Sequence, residues 1–225
     1  MNDELKNIVV FGTGNTARVV IEIIEVKGKY NILGLIDATK GRIGERVKGY
    51  KIIGSDADLL NAPWSGDVVG GIIAVGDNFL RKVIADKIIE LLPNFVFVSI
   101  VHPSTVISQT ASIGDGSMIM AGVIINNNGR IGRHCLLNTN SSIDHDSIME
   151  NYSSLAPGVV IGGCSHLGEC SSISLGANVI NDVTIGEHTV VGAGSTVLND
   201  IPAYTISYGT PCKIIKKRRQ GDKYF

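Results

Sequence analysis

The stretch IGGCSHLGECSSISLGANVINDVTIGEHTVV, residues 161–191, decides the fold. Its aliphatic residues at Ile161, Leu167, Ile173, Val179, Ile185 and Val191 recur every six positions. Extended in both directions, the register holds from Val101 to Val197: seventeen consecutive sixth positions, all aliphatic or Met. Four residues after each, the side chain is nearly always small or β-branched, as at Ser165, Ser171, Ala177, Val183 and Thr189. Such a period is the signature of a hexapeptide β-helix. Each hexad supplies one short strand and one corner. Three hexads, 18 residues, close one triangular coil, so seventeen hexads make about five and a half coils of a solenoid. The aliphatic side chain fills the interior, the small residue lets the chain turn, and coils stack at about the 4.8 Å strand spacing.

The coil length is also a ruler. SSIDHDSIME, residues 141–150, places His145 between Asp144 and Asp146, with Ile143 as the inward residue and Ser147 as the small one. His145 is the third residue of its hexad, hence outward and near a corner. Residues 18 away are Asn127 and Gly163. A glycine one coil away leaves space beside an imidazole, and its backbone N–H suits a developing oxyanion. A neighbouring carboxylate orients the ring and stabilises its protonated form, the logic of general-base catalysis. Equally, outward rung positions are polar on any solenoid, and His134, His166 and His188 also fall at noninterior positions. Asp144 reads as a solvated carboxylate.

Before the solenoid the texture differs. NIVVFG, YNILGLID, DVVGGIIAVG and NFVFVSI read as strands; TARVVIEIIEVKG and DNFLRKVIADKIIELLP read as helices closed by Gly28 and Pro93, and SDADLLNA as a short helix capped by Ser55. The alternation predicts a small parallel α/β sheet, a Rossmann-like domain over residues 1–99, followed by the β-helix and its tail over 100–225. FGTGNTARVV follows a strand and opens a helix; Gly12, Gly14 and Ala17 fit G-x-G-x-x-A, and Asp37 ends the next strand. Glycines there permit a tight turn and close approach of a phosphate at a helix N-terminus. Read alone, this is a dinucleotide site, but no dehydrogenase-like catalytic domain follows.

Composition bounds the rest. The 225 residues carry a net charge of -1, with 44% hydrophobic and 18% charged residues, which supplies a core and argues against nucleic acid or an anionic membrane as partner. No apolar run approaches the roughly 20 residues of a membrane helix, and MNDELKNIVV lacks signal-peptide character, so a cytoplasmic protein is expected. Cys135, Cys164, Cys170 and Cys212 form no CxxC pair and lack zinc-site spacing, so they read as reduced thiols and no metal is expected. Cys164 beside Gly163 suggests a nucleophile but has no assigned base.

HPSTVISQTASIGDGSMIMAGVIIN (residues 102–126), NTNSSIDHDSI (138–148), GVVIGG (158–163) and YGTPCK (208–213) resemble the hexapeptide-repeat bacterial sugar acetyltransferases, in particular those acting on nucleotide-linked amino sugars or sialic acids. The resemblance covers nearly the whole chain. It implies a left-handed β-helix, a homotrimer with sites between subunits, acetyl-CoA as cosubstrate, and His145 as the base with Asp146 as its acidic neighbour. It further implies acetyl-CoA contacts at Gly163, Ser154, Leu175 and Ala193. Ser154 stands where related enzymes often carry a second histidine, nine residues after the base. The basic end, Lys213, Lys216, Lys217, Arg218 and Arg219, suits CoA phosphates or solvent. The N-terminal domain is implied to hold the nucleotide-linked sugar through Gly12, Gly14, Asn15, Thr16, Asp37, Lys40, Gly76 and Asn78. Where the family usually shows Gly-Gly-His-Gly, this chain has Gly14, Asn15, Thr16 and Ala17. Three functions stand at this level: N-acetylation of a nucleotide-linked amino sugar, O-acetylation of a sialic acid or another sugar hydroxyl, and a noncatalytic nucleotide-sugar-binding scaffold. The sequence does not separate amine from hydroxyl acceptors, nor name the sugar or the nucleotide.

Overall fold

A computed structural model describes residues 5–38, 41–55 and 68–223. The N-terminal domain is built on β1 (Lys6–Phe11), α1 (Asn15–Lys27), β2 (Tyr30–Ile36), β3 (Arg46–Val47), β4 (Tyr50–Gly54), β5 (Val68–Ile73) and α2 (Asn78–Leu91). Its sheet has the order β3-β4-β2-β1-β5, parallel except for the β3–β4 hairpin. The hairpin, which sequence reading passed over, turns through Lys48 and Gly49, both at positive φ, as two-residue hairpin turns require. Helix α1 ends where expected: Gly28 takes a left-handed φ of 62° and its N–H donates to Ile24 O. The short helix expected over SDADLLNA lies outside the described residues beyond Ser55.

NFVFVSI is not the full strand its composition suggests. Phe97 makes an isolated parallel bridge to Gly71, and Val98 and Ile100 bury against α1 and the solenoid. The chain is leaving one sheet for another there: Ile100–Val101 is already the first rung of the β-helix.

From that rung to Thr196–Val197 the chain forms seventeen two-residue strands, each ending on the aliphatic sixth position. They stack as three parallel faces. Face one carries Ile125, Ile143, Ile161, Val179 and Val197 in line; face two Ile131, Met149, Leu167 and Ile185; face three Ile119, Leu137, Leu155, Ile173 and Val191. These inward residues form one continuous core. From Gly116 to Gly194 each corner has one residue in the left-handed region, repeating at 18. The column between faces one and two is Asn128, Asp146, Cys164 and Asp182; between two and three, Gly116, His134, Tyr152, Cys170 and His188; between three and one, Gly122, Asn140, Gly158, Gly176 and Gly194.

Face three is the one the N-terminal domain covers. Its outward side chains Ile100, Met118 and Leu136 pack with α1 residues Val20, Ile21 and Ile24 in a single cluster. Arg81 of α2 is fully buried at this junction. Its guanidinium donates to the backbone oxygens of His134 and Tyr152 on the solenoid, to those of Val75 and Gly76 in its own domain, and to Asn78 Oδ1. Beyond the last coil, Lys213–Lys217 pairs antiparallel with Thr205–Tyr208, and Arg218 is buried, donating to the carbonyls of His188 and Asp222. That burial removes Arg218 from the set of basic residues expected to meet phosphates.

Replacing Arg81 by Met strands several buried carbonyl acceptors at once. We expect Arg81→Met to cost about 3–5 kcal/mol, read as a lowered urea midpoint.

Candidate functional site

The corner between faces one and two displays His145 on an exposed surface, its side chain 48% accessible. His145 Nδ1 lies 2.9 Å from Asp146 Oδ2. Asp146 occupies the left-handed corner position at φ 56°, a conformation that Asp and Asn tolerate better than most residues. Its other oxygen accepts from Asn128 Nδ2 at 2.9 Å, one coil away. Asp144 has a matching arrangement: Oδ1 accepts from Asn126 Nδ2 at 2.7 Å and from the His145 backbone N–H at 2.8 Å. Asp144 is therefore a brace, not the loose surface carboxylate read from sequence. Both asparagines sit 18 residues before the aspartates they hold, so the ruler that found Gly163 would have found them.

These bonds set the charge states. The Asp146 hydrogen bond, reinforced by the Asp144 charge, raises the His145 pKa above the ordinary imidazole value. The Asn128 amide, then His145, hold Asp146 below the usual carboxylate range, and Asn126 with the His145 N–H does the same for Asp144. With a proton on Nδ1 shared with Asp146, the basic lone pair is on Nε2. A shallow cleft of about 440 Å³ lined by Asn126, Asn127, Asn128, Asp144, His145 and Asp146 opens beside the ring.

Gly163 stacks on His145. A Cβ at Gly163 would come within 2.6 Å of His145 Cε1 and Nε2, so any side chain there would push the ring from this position. The Gly163 N–H, however, donates to Asn181 Oδ1 at 3.1 Å. In this arrangement it is not open to an oxyanion, because the side chain one coil further caps it.

Other residues expected at the acetyl-CoA site lie elsewhere. Ser154 is buried on face three, where its Oγ accepts from Asn78 Nδ2 at 3.0 Å and donates to Ser172 Oγ at 3.2 Å. It is sealed under the N-terminal domain and does not join His145. Asn78 is corrected with it: the first residue of α2 is fully buried, also donating to Ser171 O, and so it faces the solenoid instead of a nucleotide. Leu175 and Ala193 are both exposed and stack at the corner between faces three and one, separated from His145 by the whole of face one.

The remaining N-terminal candidates do converge. Gly12 (φ 116°) donates to Ile36 O, joining the ends of β1 and β2, and a Cβ there would meet Ala74 O at 2.9 Å. Gly76 lies against Thr16, whose Oγ1 would be 3.1 Å from a Cβ. Gly14 is the cap residue of α1 with open space around it, and no side chain caps that helix, so its first N–H groups face outward beside Asn15. Thr13 Oγ1 donates to Asp37, and Arg42 Nη1 reaches Asp37 Oδ2 at 2.7 Å. Thr13 and Arg42 were missed from sequence; Arg42 lies in a segment with no periodicity to mark it. A cleft of about 200 Å³ between Gly12, Thr13, Asp37 and Val75 lies at the carboxyl ends of the parallel strands, where such sheets bind ligands. Lys40 lies outside the described residues. No helix among the described residues is long and apolar enough to cross a membrane.

Comparison with known proteins agrees with this layout. A family model described as the PglD N-terminal domain matches residues 7–88. A histidine-to-alanine variant of GDP-perosamine N-acetyltransferase from Caulobacter crescentus, solved in complex with CoA and GDP-perosamine, superposes with a TM-score of 0.87 at 34% identity, covering 94% of this chain and 97% of that one. The acetyltransferase domain of PglB from Neisseria gonorrhoeae FA1090, solved with acetyl coenzyme A, gives 0.85 at 28% identity over 94% of this chain and all (100%) of that one. GDP-perosamine N-acetyltransferase of Escherichia coli O157:H7 is 26% identical over 171 residues, 75% of each chain.

Because Asp146 is the main cause of the raised imidazole pKa, Asp146→Asn should lower it. Proton NMR titration of the His145 ring should give a midpoint above about 6.5 in the native protein, moving down in the variant.

Proposed function

The chain belongs to the hexapeptide-repeat sugar acetyltransferases, acetyl-CoA-dependent enzymes, and on that premise we propose that it N-acetylates a nucleotide-linked amino sugar with His145 as general base. The observation that carries this reading is the exposed His145–Asp146 pair held on both sides by asparagines of the preceding coil. The relatives support an amine acceptor: two of the proteins named above are N-acetyltransferases of GDP-perosamine, a nucleotide-linked sugar.

In the proposed reaction the sugar amine attacks the thioester carbonyl while His145 Nε2 takes its proton. The imidazolium is stabilised by Asp146 through Nδ1–H, and Asp146 keeps its negative charge because Asn128 also holds it. Collapse of the tetrahedral intermediate breaks the C–S bond, and the imidazolium returns a proton to the CoA thiolate. Gly163 N–H serves the oxyanion once the incoming thioester displaces Asn181 Oδ1 from it. Transfer is direct, with no acyl-enzyme.

We further propose that the working site is shared between subunits of a homotrimer. His145 stands on the edge of the solenoid opposite face three, which carries its own N-terminal domain, and Leu175 and Ala193 stand on another edge. The three parts do not meet within one chain. Neighbouring chains bring them together if one subunit's N-terminal cleft delivers the sugar nucleotide to the next subunit's His145. Acetyl-CoA then lies in the groove between edges. The sugar nucleotide is placed by the α1 N-terminus, Gly12, Gly14, Asn15, Thr16, Asp37 and Gly76, with its phosphates at the helix end.

Two outcomes test this. With acetyl-CoA and a panel of nucleotide-linked amino sugars and sialic acids, CoA release should appear only with amine acceptors, and His145→Ala should lower kcat by about 10²–10⁴; turnover with hydroxyl acceptors alone refutes the acceptor class. Mixed trimers of His145→Ala with a Gly14→Glu chain, each inactive alone, should regain activity if the site is shared; none returns if each chain works by itself.

A further inference from the structure

The His145 corner holds one chemically active group that the transfer reaction does not use. Cys164 is 18 residues beyond Asp146 and occupies the same corner position one coil on, at φ 56°. The other members of that column are Asn128, Asp146 and Asp182, residue types that adopt the left-handed conformation readily; a cysteine gains nothing from it locally. Its thiol is exposed. One ligand atom from each of His145, Asp146 and Cys164 lies within 4.8 Å of the other two.

We propose that His145, Asp146 and Cys164 form a binding site for a thiophilic divalent cation such as Zn²⁺, and that the bound ion switches transfer off by occupying the base. The donor set is an imidazole nitrogen, a carboxylate oxygen and a thiolate sulfur, the three kinds zinc takes, with water in a fourth position. Bonds of roughly 2.0–2.3 Å bring tetrahedral donors closer together than 4.8 Å, and three exposed side chains close that gap by small rotations. The backbone beneath them is fixed. Asp146 N–H donates to Asn127 O and Cys164 N–H to His145 O, both at 2.9 Å. Gly163, between the imidazole and the thiol in the coil, contributes no side chain to obstruct the ion. Asn128 holds the second oxygen of Asp146, the kind of outer contact that orients a ligand.

Binding balances as Zn²⁺ plus the Cys164 thiol giving a zinc thiolate and one proton, with His145 neutral and Asp146 ionised. The complex of a dication with thiolate and carboxylate is then neutral. The other thiols are poor competitors: Cys135 and Cys170 are buried, which pushes their pKa values up to about 11 and about 12, and burial raises Cys212 as well. A ring nitrogen bound to zinc has no lone pair for a substrate proton, and this inhibitory consequence rests on the acetyl-transfer reading. The binding itself does not.

The test uses metal-free full-length protein. Titration with Co²⁺ should produce a sulfur-to-cobalt charge-transfer band saturating at one ion per chain and displaced by Zn²⁺. Cys164→Ser should abolish the band while its circular dichroism stays native. In the transfer assay, Zn²⁺ should inhibit reversibly, with EDTA restoring turnover. Cys164→Ser should keep its basal rate and require at least about 10-fold more Zn²⁺ for half-inhibition. Absence of the band at micromolar Co²⁺, or its persistence in Cys164→Ser, overturns the site. A native protein that shows the band yet transfers no acetyl group overturns the acetyl-transfer reading and leaves the metal site standing.

Discussion

Each coil advances the chain by 18 residues, so that residue i lies on residue i+18, and nearly everything in this molecule depends on that repeat. It is enforced from inside. A slip of one residue along any rung would expose an inward aliphatic, such as Ile143 or Leu155, and bury a polar neighbour. Each fully buried one contributes about 1.5–3 kcal/mol, and fourteen of the seventeen, Ile119 through Val197, are buried in register, which leaves no room for an alternative pairing. The stiffness passes outward. Asn126 meets Asp144 and Asn128 meets Asp146 because the coils are bonded right beside them, Asn126 N–H to Ile143 O and Asp146 N–H to Asn127 O, not because a flexible loop closes on them.

The junction between the domains uses the same rigid surface. The strand-end loop after β5 splits its residues: Val75 lines the cleft at the strand ends and Gly76 lies against Thr16 of α1, while Asn78 turns to Ser154 and Ser171 of the solenoid. Arg81 holds both halves, since its guanidinium accepts no compromise in geometry between the Val75 and Gly76 carbonyls and those of His134 and Tyr152. A ligand that displaces the Gly76 loop therefore acts on a buried five-donor group anchored in the β-helix. The cleft and the solenoid are parts of one rigid hydrogen-bonded body at this point.

How much could be read from sequence follows from distance along the chain. The β-helix was legible because its signal recurs every six residues, and the outward placement of His145 followed from the same count. The stacking of Gly163 was legible because 18 is a fixed offset, and Asn126, Asn128 and Cys164 were open to the same arithmetic. The Asn78–Ser154 bond was not: its partners are 76 residues apart, and nothing local to either marks it. Ser154 sat at an offset of nine, half a coil, which sends it to a different face from His145 whatever its side chain. Phe97 failed as a strand residue because apolar, β-branched neighbours also suit a segment crossing from one sheet to the next.

Asp146 shows how closely the scaffold and the chemistry are tied. It is the turn residue of its corner, at φ 56°, and also the acceptor that fixes the His145 tautomer and raises its basicity. Asn in its place satisfies the turn but carries no charge to stabilise an imidazolium. Glu carries the charge, but its longer side chain loses the short contact that suits Asp to a left-handed residue and moves its carboxylate off Asn128. Gly suits the backbone and offers neither function. Among the common side chains only Asp meets the conformational demand of the corner and the electrostatic demand of the neighbouring imidazole together. The same demand explains why the acid follows the histidine. At position 144 a carboxylate reaches the His145 backbone N–H, and only the corner residue turns far enough to face the ring.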